Sequence, residues 1–255
     1  MAKVISIFVL LSIFLPVTLT LVLNVENVQN VVVKRASEFA SEYLGARVDI
    51  GRIDIDLFSR VRIEGFYVED TQQDTLLYVE RAWGSVRSLN IPRNGLLLRS
   101  AKVENGQFNL REMPDGELNI RPIVQRLQRS DGKSNFSMII DNIEASGLTF
   151  RYERMEHRNP EYGIDYYDME INDIAAQLER FSVVQSHVWA DVTELSARER
   201  SGFVLDNLAG RFSVNEGLIV FSDMVLQTPT SKLSVPEFAL KMPVRPFPLP
   251  FSRLG

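Results

Sequence analysis

The two histidines, His157 and His187, are the side chains best suited to acid–base chemistry, and a cysteine count of zero removes thiol nucleophiles. His157 lies in a polar stretch near Asp165 and Asp168, so a catalytic His-Asp pair is conceivable. No G-x-S-x-G nucleophile motif accompanies it, and His187 lies in an apolar, strand-like run. The sequence therefore predicts a protein that is not an enzyme and has no catalytic residues. The rival hypothesis, a membrane-tethered hydrolase, requires His157 or an acidic pair to matter.

Carboxylates crowd the stretch from Asp49 to Asp74, and hard cations such as Ca²⁺ bind several carboxylate oxygens. Asp54 and Asp56 alternate with apolar residues, however, which is typical of the solvated face of a half-buried strand. The D-x-D-x-D-G spacing of a calcium loop is absent. The run 131–134 (DGKS) resembles the end of a P-loop but lacks the first glycine, because position 127 is Leu127. Neither a metal site nor a cofactor is therefore predicted.

The residues from Val4 to Leu23 form an uninterrupted uncharged, mostly apolar run. About 20 helical residues match a hydrocarbon core of about 30 Å, so the pattern predicts a transmembrane anchor at residues 1–24. The alternative is a cleaved signal peptide, but its apolar region is usually about 7–15 residues long and ends at a small-residue cleavage site, which this run lacks. Lys3 favours an N-terminus on the inner side. Both alternatives export the rest of the chain.

The remaining chain divides by composition into an N-terminal segment, 25–128, a β-repeat segment, 136–242, and a proline-rich tail, 243–255. The polar run 129–135 is typical of a linker. A net charge of −5 argues against a nucleic-acid partner, which requires a basic surface. Apolar positions recurring every three or four residues predict an amphipathic helix from Asn27 to Leu44, with Gly45 as its stop.

After Ala46 the apolar period becomes two, which predicts a mainly β protein. The alternation slips by one residue at Gly51 and again at Gly65, and each slip is typical of a β-bulge. Further strands are predicted at 75–89, 96–110, 138–145, 148–153, 164–178, 183–195, 203–214, 218–227 and 232–242. An apolar–Asx–Asx–apolar motif begins at Ile140, Ile171 and Leu205 and indicates a sheet extended by repeated hairpins.

Two stretches, 96–98 and 218–221, are apolar on both strand faces. A sheet with one face in water should alternate cleanly, so these strands belong to a sandwich core or to a sheet curled round a nonprotein apolar molecule.

Several short motifs, in order, resemble the AsmA-like proteins, and more closely the TamB (translocation and assembly module) proteins of Bacteroidetes-type bacteria. The similarity extends from Asn27 to Val235. The motifs that carry it are 43–45 (YLG), 48–55 (VDIGRIDI), Asp70 with 74–78 (DTLLY), 115–119 (DGELN), 195–203 (LSARERSGF) and 228–233 (TPTSKL).

The resemblance implies an inner-membrane, single-pass protein whose bulk lies in the periplasm. Its transmembrane and amphipathic helices would precede an elongated, antiparallel-rich β-sheet curled into a taco-like groove. Such proteins are implicated in moving phospholipid to the outer membrane and in outer-membrane biogenesis. They are usually several times longer, and their C-terminal part engages an outer-membrane β-barrel assembly protein, so that partner is expected only through a part beyond this chain.

Alternation within the strands predicts the residues that line such a groove. The lipid-groove candidates are Ile53, Ile55, Leu57, Phe108, Leu110, Phe150, Tyr152, Phe212 and Val214. An apolar groove of this kind shields acyl chains from water at about 25 cal/mol per Å² and needs no catalytic residue. The alternative function is a scaffold or assembly module that binds a protein partner by strand addition at a free sheet edge, without lipid.

Overall fold

The computed structural model describes residues 26–56, 60–90, 95–128, 137–154, 163–184, 187–215 and 218–241. Its elements are α1 (Glu26–Leu44), β1 (Val48–Ile55), β2 (Arg60–Glu69), β3 (Thr75–Asn90), β4 (Gly95–Glu112), α2 (Arg121–Gln128), β5 (Ser137–Arg154), β6 (Asp168–Val184), β7 (His187–Glu199), β8 (Val204–Leu205), β9 (Asn207–Asn215), β10 (Leu218–Gln227) and β11 (Lys232–Lys241). The predicted anchor at residues 1–24 and the tail at 243–255 lie outside these residues. Neither described helix has the length and hydropathy needed to cross a bilayer.

The expectation of a mainly β protein is confirmed, because all eleven strands belong to one mixed sheet that does not close on itself. Strands follow one another in chain order, and the short β8 pairs only with β7. Neighbours run antiparallel except β4 and β5, which are parallel over nearly their whole length. In a parallel pair the second strand begins at the same end of the sheet as the first, so the connection between β4 and β5, which contains α2, is a crossover.

Helix α1 lies along the free edge of β1 and satisfies its backbone. The amides of Val48 and Ile50 donate to the hydroxyls of Ser41 at 2.8 Å and Ser37 at 3.1 Å. Further along the strand, the Gln29 amide donates to Asp54 at 2.8 Å. An edge strand exposes unpaired donors that another chain could bind, so α1 blocks this edge. The other edge, β11, carries no covering element among the described residues.

The helix ends as its sequence predicts. Gly45 adopts a φ of 66° and its amide donates to the carbonyl of Ser41 at 2.8 Å, which satisfies one of the last helical carbonyls. The chain then enters β1 directly. This short connection fixes the end of α1 over the first residue of the sheet.

A small core lies at the end of the sheet where β1 begins. It consists of Val48, Val68, Leu76 and Ile123, which are 2 to 9 % exposed, and it joins the first three strands to both helices. Buried Asn119 fixes the crossover beside this core. Its side-chain amide donates to Asp70 at 3.0 Å, while its carbonyl oxygen accepts the amide of Arg111 at 3.0 Å. These bonds connect the β2–β3 turn to the segment before α2.

Four residues with positive φ lie at nearly the same level of β2, β4, β5 and β6, in the middle of the sheet. They are Gly65, Asn105, Gly147 and Asp173, with φ between 52° and 65°. Asn105 lies opposite Gly147 in the β4–β5 register, and its side chain donates to Glu80 of β3 at 2.7 Å. A left-handed residue inside a strand reverses the alternation of its side chains. We call this line of residues the crease.

The prediction of β-bulges at Gly51 and Gly65 was wrong, because the pairing of β1 with β2 contains no extra residue at these positions. The phase slips exist, but neither strand gains a residue relative to the other, because Ile50 faces Phe66 and Ile53 faces Ile63 in one unbroken register. The changes of alternation at Gly51 and Gly65 lie opposite each other. In both strands the apolar side chains therefore stay on the same face of the sheet. Likewise the predicted strands 138–145 and 148–153 are one strand, β5, which changes phase at Gly147.

Candidate functional site

Apolar side chains of neighbouring strands lie opposite one another in rows that cross the sheet on one face, here named the apolar face. The row nearest the core contains Val48, Val68, Leu77, Phe108, Phe150 and Ile171. A row beyond the crease contains Ile55, Val61, Gly84, Ala101, Ile143, Leu178 and Val192. Nearer the far end, Val188, Val214, Ile219 and Leu240 continue this face across β7, β9, β10 and β11.

The opposite face, the polar face, carries charged rows at the same levels. One of them contains Asp54, Arg62, Trp83, Lys102, Glu144, Gln177 and Glu194. The Lys102 amine lies 3.1 Å from carboxylate oxygens of both Glu104 and Glu144, and these hydrogen bonds raise its pKa above the ordinary value. The Arg62 guanidinium lies 5.7 Å from the centre of the Trp83 ring. The sheet is therefore amphipathic, and a nonpolar ligand would contact only its apolar face.

Protein covers the apolar face only in part. The two helices pack over the row nearest the core, whereas most residues of the other rows are half-buried. Towards β11 the exposed fraction rises to 50 % for Phe238 and Leu240. Among the described residues, no second layer packs on these rows, because the substantial contacts between elements are those of sheet neighbours and of α1 with β1 and α2. Much apolar surface is left available for another molecule.

The structure brings most of the predicted groove residues onto the apolar face. The rings of Phe108 and Phe150 lie 5.9 Å apart, and Leu110 stands opposite Tyr152 beside them. Ile53 and Ile55 face Ile63 and Val61 across β1 and β2. Phe212 and Val214 lie in β9, where the Phe212 ring is 5.9 Å from that of Phe221. Leu57 lies outside the described residues. Whether these side chains contact lipid stays a prediction.

Sequence reasoning missed the apolar residues in the middle of the face, notably Ile143, Leu178 and Val192. Leu178, for example, follows a change of alternation at Asp173, which adopts a φ of 52° although it is not glycine. A polar residue between two apolar ones does not reveal a left-handed backbone. The apolar–Asx–Asx–apolar motif was the available signal, because its second Asx at Asp173 marks a phase change; it lies inside β6 and does not open a strand pair.

Tyr152 is the one groove candidate with a polar group, and that group has a partner. Its hydroxyl donates to the Glu112 carboxylate at 2.6 Å. Burial, together with this bond, raises the pKa of Tyr152 to about 12. The phenol therefore stays neutral on the apolar face throughout the physiological range.

Folding stability should fall between pH 10 and 12 partly because of Tyr152. Its pKa is higher in the folded chain than the ordinary value of 10.0, so its stabilising contribution is complete below pH 10 and is lost as pH rises towards 12. In urea unfolding at pH 8 and pH 11, Tyr152→Phe should lose less stability than the unaltered chain. Equal losses in the two proteins would contradict this assignment.

Two of the carboxylates that could carry chemistry are held in ion pairs. Asp168 pairs with Arg200 at 2.9 Å, and Asp54 pairs with Arg52 at 2.9 Å, which lowers the pKa of Asp54. His187 is exposed at the start of β7, and His157 and 131–134 lie outside the described residues. Within the described ranges, no three carboxylate or imidazole groups lie close enough to share a metal ion.

No protein-family model matches this chain, and no curated protein matches it. The apolar face, with its charged reverse side, is therefore the feature of the molecule from which a function can be inferred.

Proposed function

We propose that the chain is an inner-membrane-anchored, periplasmic protein of the AsmA/TamB type whose curled sheet forms an apolar groove. The groove carries phospholipid toward the outer membrane and so supports outer-membrane biogenesis. The observation that carries the proposal is the set of apolar rows crossing one face of a single open sheet with a charged reverse side.

The crease supports a groove. Residues with positive φ lie at nearly the same level in β2, β4, β5 and β6, and a local bend at that level in these four strands would bend the sheet along a line perpendicular to its strands. Such a line crosses the sheet from β1 towards β11. A sheet bent this way has two walls that continue from strand to strand, which is the geometry of a lengthwise groove.

Side-chain size supports the apolar face as the inside of the bend. Beside the crease this face carries small residues, namely Ala82, Gly84, Ala101, Ala145 and Ala176. At the same levels the polar face carries large side chains such as Arg62, Trp83 and Lys102. A Cβ atom added at Gly106, also on the apolar face, would lie 2.9 Å from a methyl group of Leu148. Crowding of this kind is expected on the concave side of a bent sheet.

The energetics favour an acyl chain as the occupant. Half-buried rows of aliphatic and aromatic groups gain about 25 cal/mol for each Å² removed from water. The rows continue across many strands without a charged residue among the members given above, so a long nonpolar chain could lie on them anywhere along the sheet. No specific polar pocket is required for that function.

A photocross-linking experiment tests the groove. The full-length chain, carrying p-benzoylphenylalanine in place of Phe150 or Phe212, is irradiated in membranes that contain radiolabelled phospholipid. Both positions should label strongly. The matched controls are Thr149 and Arg211, the preceding residues on the polar face, and they should not label. Labelling that is equal at the two faces, or absent from both in a folded chain, would contradict the proposal.

The scaffold function is a second candidate, and the β11 edge favours it. The strand is exposed along almost its whole length, and Leu233, Phe238 and Leu240 are each at least 50 % exposed. An uncovered edge beside exposed apolar groups could accept a strand from a protein partner. A charge placed on the apolar face would then have little effect on partner binding, whereas it would abolish lipid binding in a groove.

A further inference from the structure

The apolar face changes from apolar to charged as β4 and β5 approach their ends. Beyond the crease, every second residue of each strand lies on this face, and the parallel register places these residues side by side. The last three pairs are Phe108 with Phe150, Leu110 with Tyr152, and Glu112 with Arg154. We call these three pairs the column. It begins with two aromatic rings and ends with two opposite charges.

The charged end of the column retains hydrogen-bonding capacity. The Arg154 Nε lies 3.4 Å from the Glu112 carboxylate, which is longer than the about 2.7–2.9 Å of a charge-assisted hydrogen bond. The Arg154 side chain is 44 % exposed, and its guanidinium lies 5.4 Å from the centre of the Tyr167 ring. Glu112 accepts the Tyr152 hydroxyl at 2.6 Å, which occupies one of about four acceptor positions on a carboxylate. A ligand could therefore bond both charged groups without displacing an existing hydrogen bond.

The apolar stretch below these charges has the length of one half of a bilayer. Leu110 lies five residues from the crease at Asn105, which is about 17 Å at about 3.3 Å per residue. One leaflet contributes about half of a hydrocarbon core of about 30 Å. Over this stretch the apolar face carries Phe108, Leu148 and Phe150 and no charged residue of β4 or β5. An acyl chain could therefore extend from the strand ends to the crease in wholly apolar contact.

We propose that the column binds a phospholipid whose headgroup carries both a phosphate and a primary ammonium group. The Arg154 guanidinium binds the phosphate, because its planar donors match phosphate oxygens, and Glu112 accepts hydrogen bonds from the ammonium. A headgroup with the phosphate alone would leave one negative charge in excess beside Glu112. The acyl chains lie on the apolar stretch towards the crease. This inference rests on the proposed groove and names the lipid class that one part of the groove selects.

The experiment identifies the headgroup of the lipid bound at the column. The full-length chain with p-benzoylphenylalanine in place of Phe150 is irradiated in vesicles of equal parts phosphatidylethanolamine and phosphatidylglycerol, and mass spectrometry identifies the attached lipid. Phosphatidylethanolamine should be enriched about threefold, which is the factor expected of one exposed ion pair. The same reporter in place of Phe212, on β9, should label the two lipids equally.

Two neutral substitutions separate the roles of the two charges. Glu112→Gln keeps an acceptor for the Tyr152 hydroxyl, so the enrichment should disappear while labelling persists. Arg154→Gln should lower labelling by both lipids about threefold, because both carry a phosphate. The matched control is Glu153→Gln, on the polar face, where Glu153 lies 3.5 Å from Arg111. It should change neither the amount of labelling nor the preference.

Soluble glycerophosphoethanolamine tests whether the acyl chains are needed, because it has the same charged groups without them. Added at the concentration of phosphatidylethanolamine, it should leave the enrichment unchanged, since burial of the chains makes the lipid the tighter ligand. Loss of the enrichment in its presence would show that the column binds a free phosphoester, contrary to the proposal.

The failure of this inference is distinguishable from the failure of the groove. Labelling at Phe150 in the proportions of the vesicles, or an enrichment that persists in Glu112→Gln, would overturn the inference and leave the groove standing. A folded chain that labels at neither Phe150 nor Phe212 would overturn the proposed function, and the inference with it.

Discussion

The variant Phe150→Asp is expected to carry at least about tenfold less phospholipid than the unaltered chain. The row through Phe108 and Phe150 lies on the apolar face, and an unpaired carboxylate beside an acyl chain costs several kcal/mol, which exceeds the 1.4 kcal/mol of a tenfold change. The measurement is mass spectrometry of phospholipid extracted from residues 26–255, purified without detergent after expression in the periplasm.

The matched control is Thr149→Asp, which adds the same charge one residue earlier, on the polar face. It should retain its phospholipid. Because Phe150 is half-buried and contacts Phe108, its loss also lowers stability, so circular dichroism must show that both variants are folded. A folded Phe150→Asp that keeps its phospholipid, or an unaltered chain that carries none, would favour the scaffold function.

The substitution Gly147→Ala is expected to lower the free energy of unfolding by about 2–4 kcal/mol. Gly147 has a φ of 65°, a conformation that costs a residue with Cβ about 1–2 kcal/mol. The added Cβ would also lie 2.5 Å from the Asn105 side-chain oxygen, which must move although its amide group is bonded to Glu80. Urea unfolding of residues 26–255 at neutral pH measures the difference.

Gly84→Ala is the control for this effect. Gly84 also lies on the apolar face near the crease, but the nearest atom to an added Cβ is 3.8 Å away, so the change should be neutral or slightly stabilising. The double variant Asn105→Gly, Gly147→Ala should recover part of the loss because it removes the close contact and leaves the φ strain. Similar destabilisation by the two alanine substitutions would show that the crease has no special role.

The sequence predicts individual strands well where apolar and polar residues alternate without interruption. In β1 and β2, glycines mark each change of phase, so Ile53 and Ile55 could be assigned to a face. In β6 the same change occurs at Asp173, which resembles any other exposed polar residue, and the row through Leu178 was missed. The local sequence pattern therefore predicts the alternation of apolar and polar residues, but it does not predict that a single polar residue adopts a left-handed backbone conformation.

The parallel pairing of β4 and β5 could not be predicted from the sequence, for a different reason. The polar run 129–135 indicates a linker, yet nothing local shows that the strands before and after it pair in parallel. That pairing is decided by contacts between residues far apart in the chain, such as Leu98 with Ile140.

The unequal edges of the sheet have a consequence for how the chain folds. A chain is synthesised from its N-terminus, and α1, which precedes every strand of the sheet, closes the β1 edge. Each later strand pairs with the strand that precedes it in the chain, except β9, which pairs with β7. The partner of each strand is therefore already in place when that strand is synthesised. Folding can therefore proceed in one direction as synthesis continues, by small loop closures of low entropic cost. The parallel pairing of β5 with β4 requires closure of the long crossover connection, so we expect it to be the slowest step of this folding sequence.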